Sequence, residues 1–132
     1  MSDAVRRMLE SDAASRALGI EVQQTGAGSA STSMQIRDDM VNGHGIVHGA
    51  FVFAVADTAF ACACNSHGPV TVAAAADITF VAPAYTGDLL EARAVERTRF
   101  GRTGICDVTV RRGDDVIAEF RGTSRTLHRG PA

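Results

Sequence analysis

The sequence predicts an α+β fold in which one long, buried helix packs against an antiparallel sheet. The first observation is an apolar run over residues 50–64, whose only strongly polar members are Asp57 and Thr58. The second is a series of about six strand-like segments separated by glycine-containing turns. These strands do not alternate with helices, which argues against a parallel βαβ sheet. The length of 132 residues suits a single domain spanning residues 1–132.

Two short helices and a hairpin are predicted before the long helix. Apolar residues recur at helical spacing over residues 3–9, and Ser11 or Asp12 could cap a second short helix over residues 13–18. Residues 20–24 and 29–36 read as two strands joined by a glycine-rich turn. In the second strand four residues alternate with the polar Ser31, Ser33 and Gln35, namely Ala30, Thr32, Met34 and Ile36.

The long helix is predicted to be a core element. Residues 50–64 fall short of the roughly 20 residues needed to span a bilayer, and a carboxylate stands in their middle. The segment is apolar nearly all round, as expected for a helix that a sheet surrounds. The sequence Asn-Ser-His-Gly-Pro at residues 65–69 is typical of a helix end.

Four strands are predicted beyond the helix, forming a meander. Pro83 and the turn at residues 85–88 interrupt the first pair, and glycine turns at residues 100–102 and 113–115 separate the others. The predicted strands span residues 70–81, 89–98, 103–111 and 116–127.

Charge and cysteine usage limit the classes of partner. With a formal net charge of −2, the chain lacks the excess of basic residues that would indicate binding to nucleic acid or an anionic membrane. The N-terminus lacks the basic and apolar regions of a secretory signal, so we expect a cytoplasmic protein. Cys62, Cys64 and Cys106 make an odd count without zinc-ligand spacing, which predicts reduced, mostly buried thiols and no metal site.

Asp57 and the loop before its helix are the candidates for chemistry. A carboxylate within an apolar helix costs free energy unless hydrogen bonds hold it or a reaction uses it. Gly49 falls at or near the first helical turn, where its backbone N–H has no intrahelical partner. Such an amide, reinforced by the helix dipole, can hold the oxyanion that forms when a carbonyl is attacked. Asn42, His44 and His48 lie in the same loop, although each could equally be a polar loop residue or a cap.

The spacing of Gly49 and Asp57 predicts a site shared by two chains. Eight residues along one helix separate the two by about 12 Å. A catalytic base must come within about 3 Å of its target, directly or through one water. An antiparallel pair of helices in a homodimer would bring Gly49 of one chain opposite the middle of the other.

Several motifs extend this pattern through nearly the whole chain. The most specific is His48-Gly49 followed eight residues later by Asp57. The others are Met40-Val41-Asn42-Gly43-His44, Ala56-Asp57-Thr58-Ala59-Phe60-Ala61, Ala63-Cys64-Asn65-Ser66, Gly101-Arg102-Thr103-Gly104 and Phe120-Arg121-Gly122. Together they resemble the PaaI-type thioesterases of the hotdog superfamily, the acyl-CoA thioesterases of phenylacetate degradation.

The resemblance implies a hotdog fold, in which a curved antiparallel sheet wraps around one long central helix and two subunits form each site. It implies that Asp57 is the nucleophile or general base and that Gly49 supplies the oxyanion N–H. His48 and Asn42 would orient the thioester or water. Thr58, beside the carboxylate, is predicted to bind substrate or, like Asn42, to donate a hydrogen bond to Asp57.

The resemblance also implies a path for the CoA arm along Arg102, Thr103, Gly104 and Arg121, since arginine suits phosphates. The alternative for the arginines is a solvated strand face. One position departs from the family pattern: Ala50 stands where a second glycine usually follows His-Gly. A methyl group there is expected to narrow the pocket without removing the Gly49 amide.

The sequence therefore predicts a homo-oligomeric hydrolase, a dimer or a tetramer built from two dimers, with no metal or redox cofactor. Its substrate would be a phenylacetyl-type, hydroxyphenylacetyl-type or other hydrophobic acyl-CoA, and its products a free acid and CoA. Phe51, Phe53 and Phe60 could line an aromatic pocket or belong to the core. Two alternatives stay open: an enoyl-CoA hydratase or dehydratase using His48 and Asp57, and an acyl-CoA-binding module without turnover.

Overall fold

A computed structural model describes residues 1–127. Within them lie three α-helices, a short 3-10 helix at Asp38–Met40 and six β-strands. The helices are α1 (Asp3–Glu10), α2 (Ala13–Ala17) and α3 (Gly49–Asn65). The strands are β1 (Glu21–Gly26), β2 (Ser29–Gln35), β3 (Thr71–Phe80), β4 (Leu89–Phe100), β5 (Thr103–Arg112) and β6 (Asp115–Thr126).

Helix α3 is the predicted core helix. It begins after His48, whose backbone is extended (φ −65°, ψ 139°), and ten of its 17 residues are buried. At its end the Ser66 hydroxyl donates to the Ala63 carbonyl at 2.7 Å, and Gly68 takes a φ of 110° that turns the chain away. None of the helices in residues 1–127 has the length and apolarity to cross a membrane.

The six strands form one antiparallel sheet in the order β1-β2-β4-β5-β6-β3. The α+β prediction is confirmed, and β4, β5 and β6 form the expected meander. The prediction that β3 belongs to the meander is wrong, because β3 pairs with β6 and not with β4. The connection through Pro83 leads from β3, at one edge of the sheet, to β4, and β5 and β6 lie between these two strands.

One face of the sheet packs on α3. In β2 the alternating residues Ala30, Thr32 and Met34 are each at most 3% exposed, and Ser33 between two of them is buried as well, at 6%. Thr32 satisfies its buried hydroxyl by donating to the Val55 carbonyl in α3 at 2.9 Å. Burial of each large apolar side chain in this layer stabilises the fold by about 1.5–3 kcal/mol.

Helices α1 and α2, the first two elements of the chain, both pack on α3. Val5 in α1 is fully buried. The residue that caps α2 is Asp12, one of the two predicted candidates, and its Oδ1 accepts a hydrogen bond from the Ser15 amide at 3.0 Å.

Strand β3 forms an exposed edge of the sheet. It pairs with β6 on one side and, within residues 1–127, with no strand on the other. Most of its residues are exposed, including Val72 at 42% and Phe80 at 53%. An apolar edge of this kind offers unpaired backbone groups and apolar side chains to another chain.

Candidate active site

One face of α3 is left open by the sheet. Its partly or fully exposed residues recur at helical spacing and include a single carboxylate, three alanines and one aromatic ring. They are Ala50, Phe53, Ala54, Asp57 and Ala61, and Phe51 is also partly exposed. The fold therefore places Asp57 near the middle of an otherwise apolar helix face that this chain does not cover.

The surroundings of Asp57 make its carboxylate more basic than usual. Burial raises its pKa, and the negative charge of Asp12, the cap of α2, raises it further. Within residues 1–127 no hydrogen bond to the Asp57 side chain is found, so the two predicted donors do not reach it in the single chain. Thr58 bonds to Ser15 instead, and the side-chain Oδ1 of Asn42 accepts from two amides of its own loop.

A buried chain of hydrogen bonds links Thr58 to α2. Ser15 Oγ lies 2.7 Å from Asp12 Oδ2 and 2.8 Å from Thr58 Oγ1. Because the Ser15 proton is donated to the carboxylate, Thr58 must donate its own proton to Ser15. The sequence indicated Asp12 as a possible cap, but no pattern in it could reveal that α2 packs against the residue next to Asp57.

The loop before α3 is a tight turn organised by Asn42. The Asn42 Oδ1 accepts from the His44 amide at 2.8 Å and from the Ile46 amide at 3.1 Å, and Val41 bridges to Val47. The His48 amide donates to the Met40 carbonyl at 2.9 Å, which fixes the entry into α3. The side chain of His48 makes no capping hydrogen bond and His48 is exposed, so its ring is available to a ligand.

Gly49 occupies the first position of α3. Its amide lies at the helix N-terminus, where the backbone offers no acceptor four residues earlier within the helix. A Cβ at this position would stand 2.6 Å from Cζ of Phe80, so only glycine lets that ring lie against the backbone. Beside Gly49 an apolar hollow of about 310 Å³ is lined by Val47, Val52, Phe80 and Pro83, among others.

The amide of Gly49 and the carboxylate of Asp57 are on the same helix and are separated by about 12 Å along it. Both lie on or next to the open face of α3. At that separation along the helix, the two groups of a single chain are too far apart to act on one carbonyl.

The comparisons with known proteins identify the family. Residues 44–119, more than half of the chain, match the family model described as "Thioesterase superfamily". The chain belongs to the thioesterase superfamily. The acyl-coenzyme A thioesterase PaaI of Escherichia coli strain K12 is 41% identical over 121 residues, which make up 91% of this chain and 86% of that protein.

Solved structures agree with this assignment. The structure of the E. coli PaaI protein from the phenylacetic acid degradation operon matches with a TM-score of 0.92 and 39% identity, covering 95% of this chain and 91% of that one. The TT0310 protein of Thermus thermophilus matches with a TM-score of 0.83 and 38% identity, covering 86% of this chain and 96% of that one. The predicted PaaI-type hotdog fold is confirmed, and this thioesterase is a hydrolase.

The predicted CoA-binding residues fall into two places. Arg102, Thr103 and Gly104 lie in the β4–β5 turn and at the start of β5. This end of the sheet adjoins the C-terminal end of α3, because the Arg102 carbonyl accepts from the Thr126 amide and Thr126 pairs with Thr71 beside Asn65. A Cβ on Gly104 would stand 2.6 Å from Ser124 Oγ, so the close packing of β5 against β6 also favours glycine at this position.

Arg121 lies apart from these residues, on the face of the sheet that points away from α3. Its guanidinium makes two hydrogen bonds to Asp107, at 2.6 and 2.8 Å, and Arg97 approaches the same carboxylate at 3.6 Å. The Arg121 hydrogen bonds hold the pKa of Asp107 below its usual range. The arginine charge is already partnered in the single chain.

The aromatic residues divide between the core and the edge of the site. Phe60 is 1% exposed and packs on Phe120 at a centroid distance of 5.7 Å, so it is a core residue and does not line a pocket. Phe51 and Phe53 are partly buried, and the Phe53 ring meets Phe120 edge-on at 5.3 Å. Phe80, which the sequence did not single out, is the aromatic residue beside Gly49.

The cysteines are free and buried, as predicted. Burial is the main cause that raises the pKa of Cys62 to about 11 and those of Cys64 and Cys106 to about 12. Buried thiols of this kind are weak nucleophiles near neutral pH. Within residues 1–127 no group of three His, Cys, Asp or Glu side chains is placed to hold a metal ion.

Proposed function

We propose that this thioesterase hydrolyses a hydrophobic acyl-CoA, of the phenylacetyl type, at sites shared by two copies of the chain. The Gly49 amide of one chain holds the thioester oxygen, and the partner's Asp57 acts as general base or nucleophile. The observation that carries the proposal is the open face of α3, where a lone carboxylate stands among alanines and Phe53 while the helix N-terminal glycine amide lies about 12 Å away along the helix.

The open helix face supports a close approach of two helices. Ala50, Ala54 and Ala61 have small side chains, so a second α3 can approach this face closely at these three positions. In an antiparallel pair the N-terminus of one α3 lies opposite the middle of the other. This arrangement brings Asp57 to the carbonyl held at Gly49, and it makes two identical sites per dimer.

The hollow beside Gly49 supports a hydrophobic acyl group. Its volume of about 310 Å³ and its lining by Val47, Val52 and Phe80 suit an aryl or short alkyl chain. The Phe80 ring, against the Gly49 backbone, can contact the ring of an arylacetyl group edge-on. His48 and Asn42 lie in the loop at the same helix end and would orient the thioester or the attacking water.

The β4–β5 turn supports a path for the CoA arm. It adjoins the C-terminal end of α3, which, in the pairing that sets Gly49 opposite Asp57, lies about 12 Å beyond the N-terminus of the other α3. Arg102, exposed in this turn, would then bind CoA phosphates while the thioester is held at Gly49 of the neighbouring chain. A role for Arg121 would require a phosphate to replace Asp107, and a role for Thr58 would act through its bond to Ser15.

The chemistry needs only an ionised Asp57 and the Gly49 amide. As a base the carboxylate takes a proton from water as the oxygen attacks the thioester carbon; as a nucleophile it forms an anhydride that water then cleaves. In both routes the electron pair of the broken C–S bond leaves with the CoA sulfur, and the acyl group becomes a carboxylic acid. The same scheme serves a dimer and a tetramer of two dimers.

The substitution Asp57→Asn tests the catalytic assignment. It keeps the size of the side chain and removes the charge, so we expect kcat for phenylacetyl-CoA to fall by about 10²- to 10⁴-fold with little change in substrate binding. Release of free CoA thiol over a panel of arylacetyl-, fatty acyl- and enoyl-CoA thioesters measures it. Hydration of an enoyl-CoA without thiol release would support the hydratase alternative.

Asp114→Asn is the matched control, since Asp114 is an exposed residue in the β5–β6 turn and its substitution makes the same change of charge. We expect this variant to turn over phenylacetyl-CoA like the unmodified protein. Near-normal turnover by Asp57→Asn would refute the role of the carboxylate. Binding of acyl-CoA without thiol release by the unmodified protein would support the binding-module alternative.

A further inference from the structure

Beyond the bond between Thr58 and Ser15, the hydrogen-bonded chain between α2 and α3 has no part in the scheme above, although it ends at the residue next to Asp57. Ser15 and Thr58 are only 8% and 7% exposed, so their 2.8 Å contact is a buried polar link between the two helices. Asp12 closes the chain, because it accepts from both the Ser15 amide and the Ser15 hydroxyl. Two hydrogen bonds thus hold the Asp12 carboxylate on Ser15, and a third joins Ser15 to Thr58 in the turn of α3 that carries Asp57.

We propose that Asp12 is a positioning residue for hydrolysis: bonded to Ser15, which is itself bonded to Thr58, it holds its carboxylate beside the Asp57 turn and contributes to the lower pH limit of the reaction. This inference rests on the proposed role of Asp57. Asp12 does not touch the carbonyl or the attacking water in the scheme, and it acts through Asp57 alone.

The electrostatics of α3 agree with this geometry. The charge of Asp12 raises the pKa of Asp57, after burial, and it also raises the pKa of Cys62 on the following turn. Two groups on one helix therefore respond to the same carboxylate across the α2–α3 contact. A base whose pKa lies nearer the working pH accepts a proton more readily when it is ionised.

Other titratable groups near this part of α3 do not provide the same charge. Cys62 and Cys64 share the helix with Asp57, and their pKa values of about 11 and about 12 leave both thiols neutral at ordinary pH. On β4, Glu96 raises the pKa of Cys64 and hydrogen-bonds His67 at 2.9 Å, but it is not among the causes of the Asp57 shift. Asp12 is the charged group outside α3 that acts on Asp57 within residues 1–127.

The sign of the expected pH effect follows from the protonation of Asp57. Activity requires the ionised carboxylate, so it is lost as the pH falls through the pKa of Asp57. A neutral residue at position 12 removes one of the two causes that raise this pKa. The acid limb of the pH profile should therefore move to lower pH, and the rate on the plateau should fall because the base is weaker.

The experiment compares pH profiles of kcat/KM for phenylacetyl-CoA in Asp12→Asn, Asp12→Ser and the unmodified protein. Asn and Ser cap a helix about as well as Asp, so both variants remove the charge and keep the cap of α2. Asp3→Asn is the matched control, because Asp3 lies in the first turn of α1 and its side chain is 79% exposed. We expect the acid limb to shift to lower pH in both Asp12 variants and to stay in place in Asp3→Asn.

A second measurement separates this inference from the proposed function. A ¹³C NMR titration of the Asp57 carboxyl carbon reports its protonation in the folded protein without any turnover. An Asp57 midpoint that moves to lower pH in Asp12→Asn supports the inference, whereas coincident midpoints and coincident acid limbs overturn it. If the unmodified protein hydrolyses no acyl-CoA, the proposed function fails while the titration still tests the charge of Asp12.

Discussion

Gly49 combines two requirements at one residue. Its Cα leaves room for the Phe80 ring, and its amide is the donor proposed to bind the thioester oxygen. A substitution by alanine disturbs the first and keeps the second. A substitution by proline removes the N–H, and proline is well tolerated at the first position of a helix. His48 before it already has the extended backbone (φ −65°, ψ 139°) that proline requires of the preceding residue.

We therefore expect Gly49→Pro to lower kcat by about 10²- to 10³-fold, the effect of losing one oxyanion donor. Gly49→Ala is the matched control and should lose much less activity, since the new methyl group meets only the far end of Phe80, a ring that is 53% exposed and can turn away. Steady-state kinetics with phenylacetyl-CoA measure both. Equal losses in the two variants would mean that the space around Gly49, and not its amide, limits the reaction.

At the scale of single residues, the sequence predicts a group when its local setting is unusual. Asp57 stands out as a carboxylate in an apolar helix, and Gly49 as a glycine at the start of that helix. The partner of Thr58 could not be found in this way, because Ser15 is 43 residues away in the chain. Phe80 was missed for the same reason, since only the fold brings the end of β3 to the start of α3.

At the scale of helices and strands, periodicity predicts the elements better than their order. Helix α3 was expected over residues 50–64 and spans Gly49–Asn65, and the four later strands lie within three residues of their predicted ends. These boundaries follow from local features, namely apolar runs, glycine turns and Pro83. The place of β3 beside β6 depends on long-range pairing, which alternation within one strand does not encode.

Strand β6 and helix α3 meet at a contact that requires glycine. A Cβ on Gly122 would stand 2.7 to 2.9 Å from three ring atoms of Phe60, and Phe60 is only 1% exposed. The ring is enclosed in the core and cannot turn away as Phe80 can. We expect Gly122→Ala to destabilise the fold by about 1–3 kcal/mol, as overpacking of a close-packed core does.

Urea or thermal unfolding at equal protein concentration measures this loss, since association also contributes to the apparent stability. Gly43→Ala is the matched control: a Cβ there meets no atom within 4 Å, and the backbone is not in the left-handed region. We expect its stability to stay within about 0.5 kcal/mol of the unmodified protein. Unchanged stability in Gly122→Ala would mean that β6 and α3 can separate to admit a methyl group.

At the scale of the whole molecule, the single chain leaves two apolar surfaces uncovered on neighbouring elements. One is the small-residue face of α3 around Asp57, and the other is edge strand β3, where Val72 and Phe80 are exposed. Phe80 at the end of β3 touches Gly49 at the start of α3, so the two surfaces are continuous. A second copy of the chain that covers both would bury the apolar edge and complete the proposed site in one step.

Subunit complementation tests whether two chains share each site. Asp57→Asn and Gly49→Pro are each expected to be nearly inactive alone, because every site then lacks the carboxylate or the amide. In a dimer of one copy of each, one site lacks both groups and the other has both intact. Random pairing of equal amounts makes half of the dimers mixed, and each mixed dimer has one intact site of two. Co-expression should therefore restore about a quarter of the unmodified activity.

Two differently tagged copies of Asp57→Asn serve as the control and should recover no activity. If both groups of a site came from one chain, the mixed dimers would be as inactive as their parents, and the antiparallel pairing of α3 would be wrong.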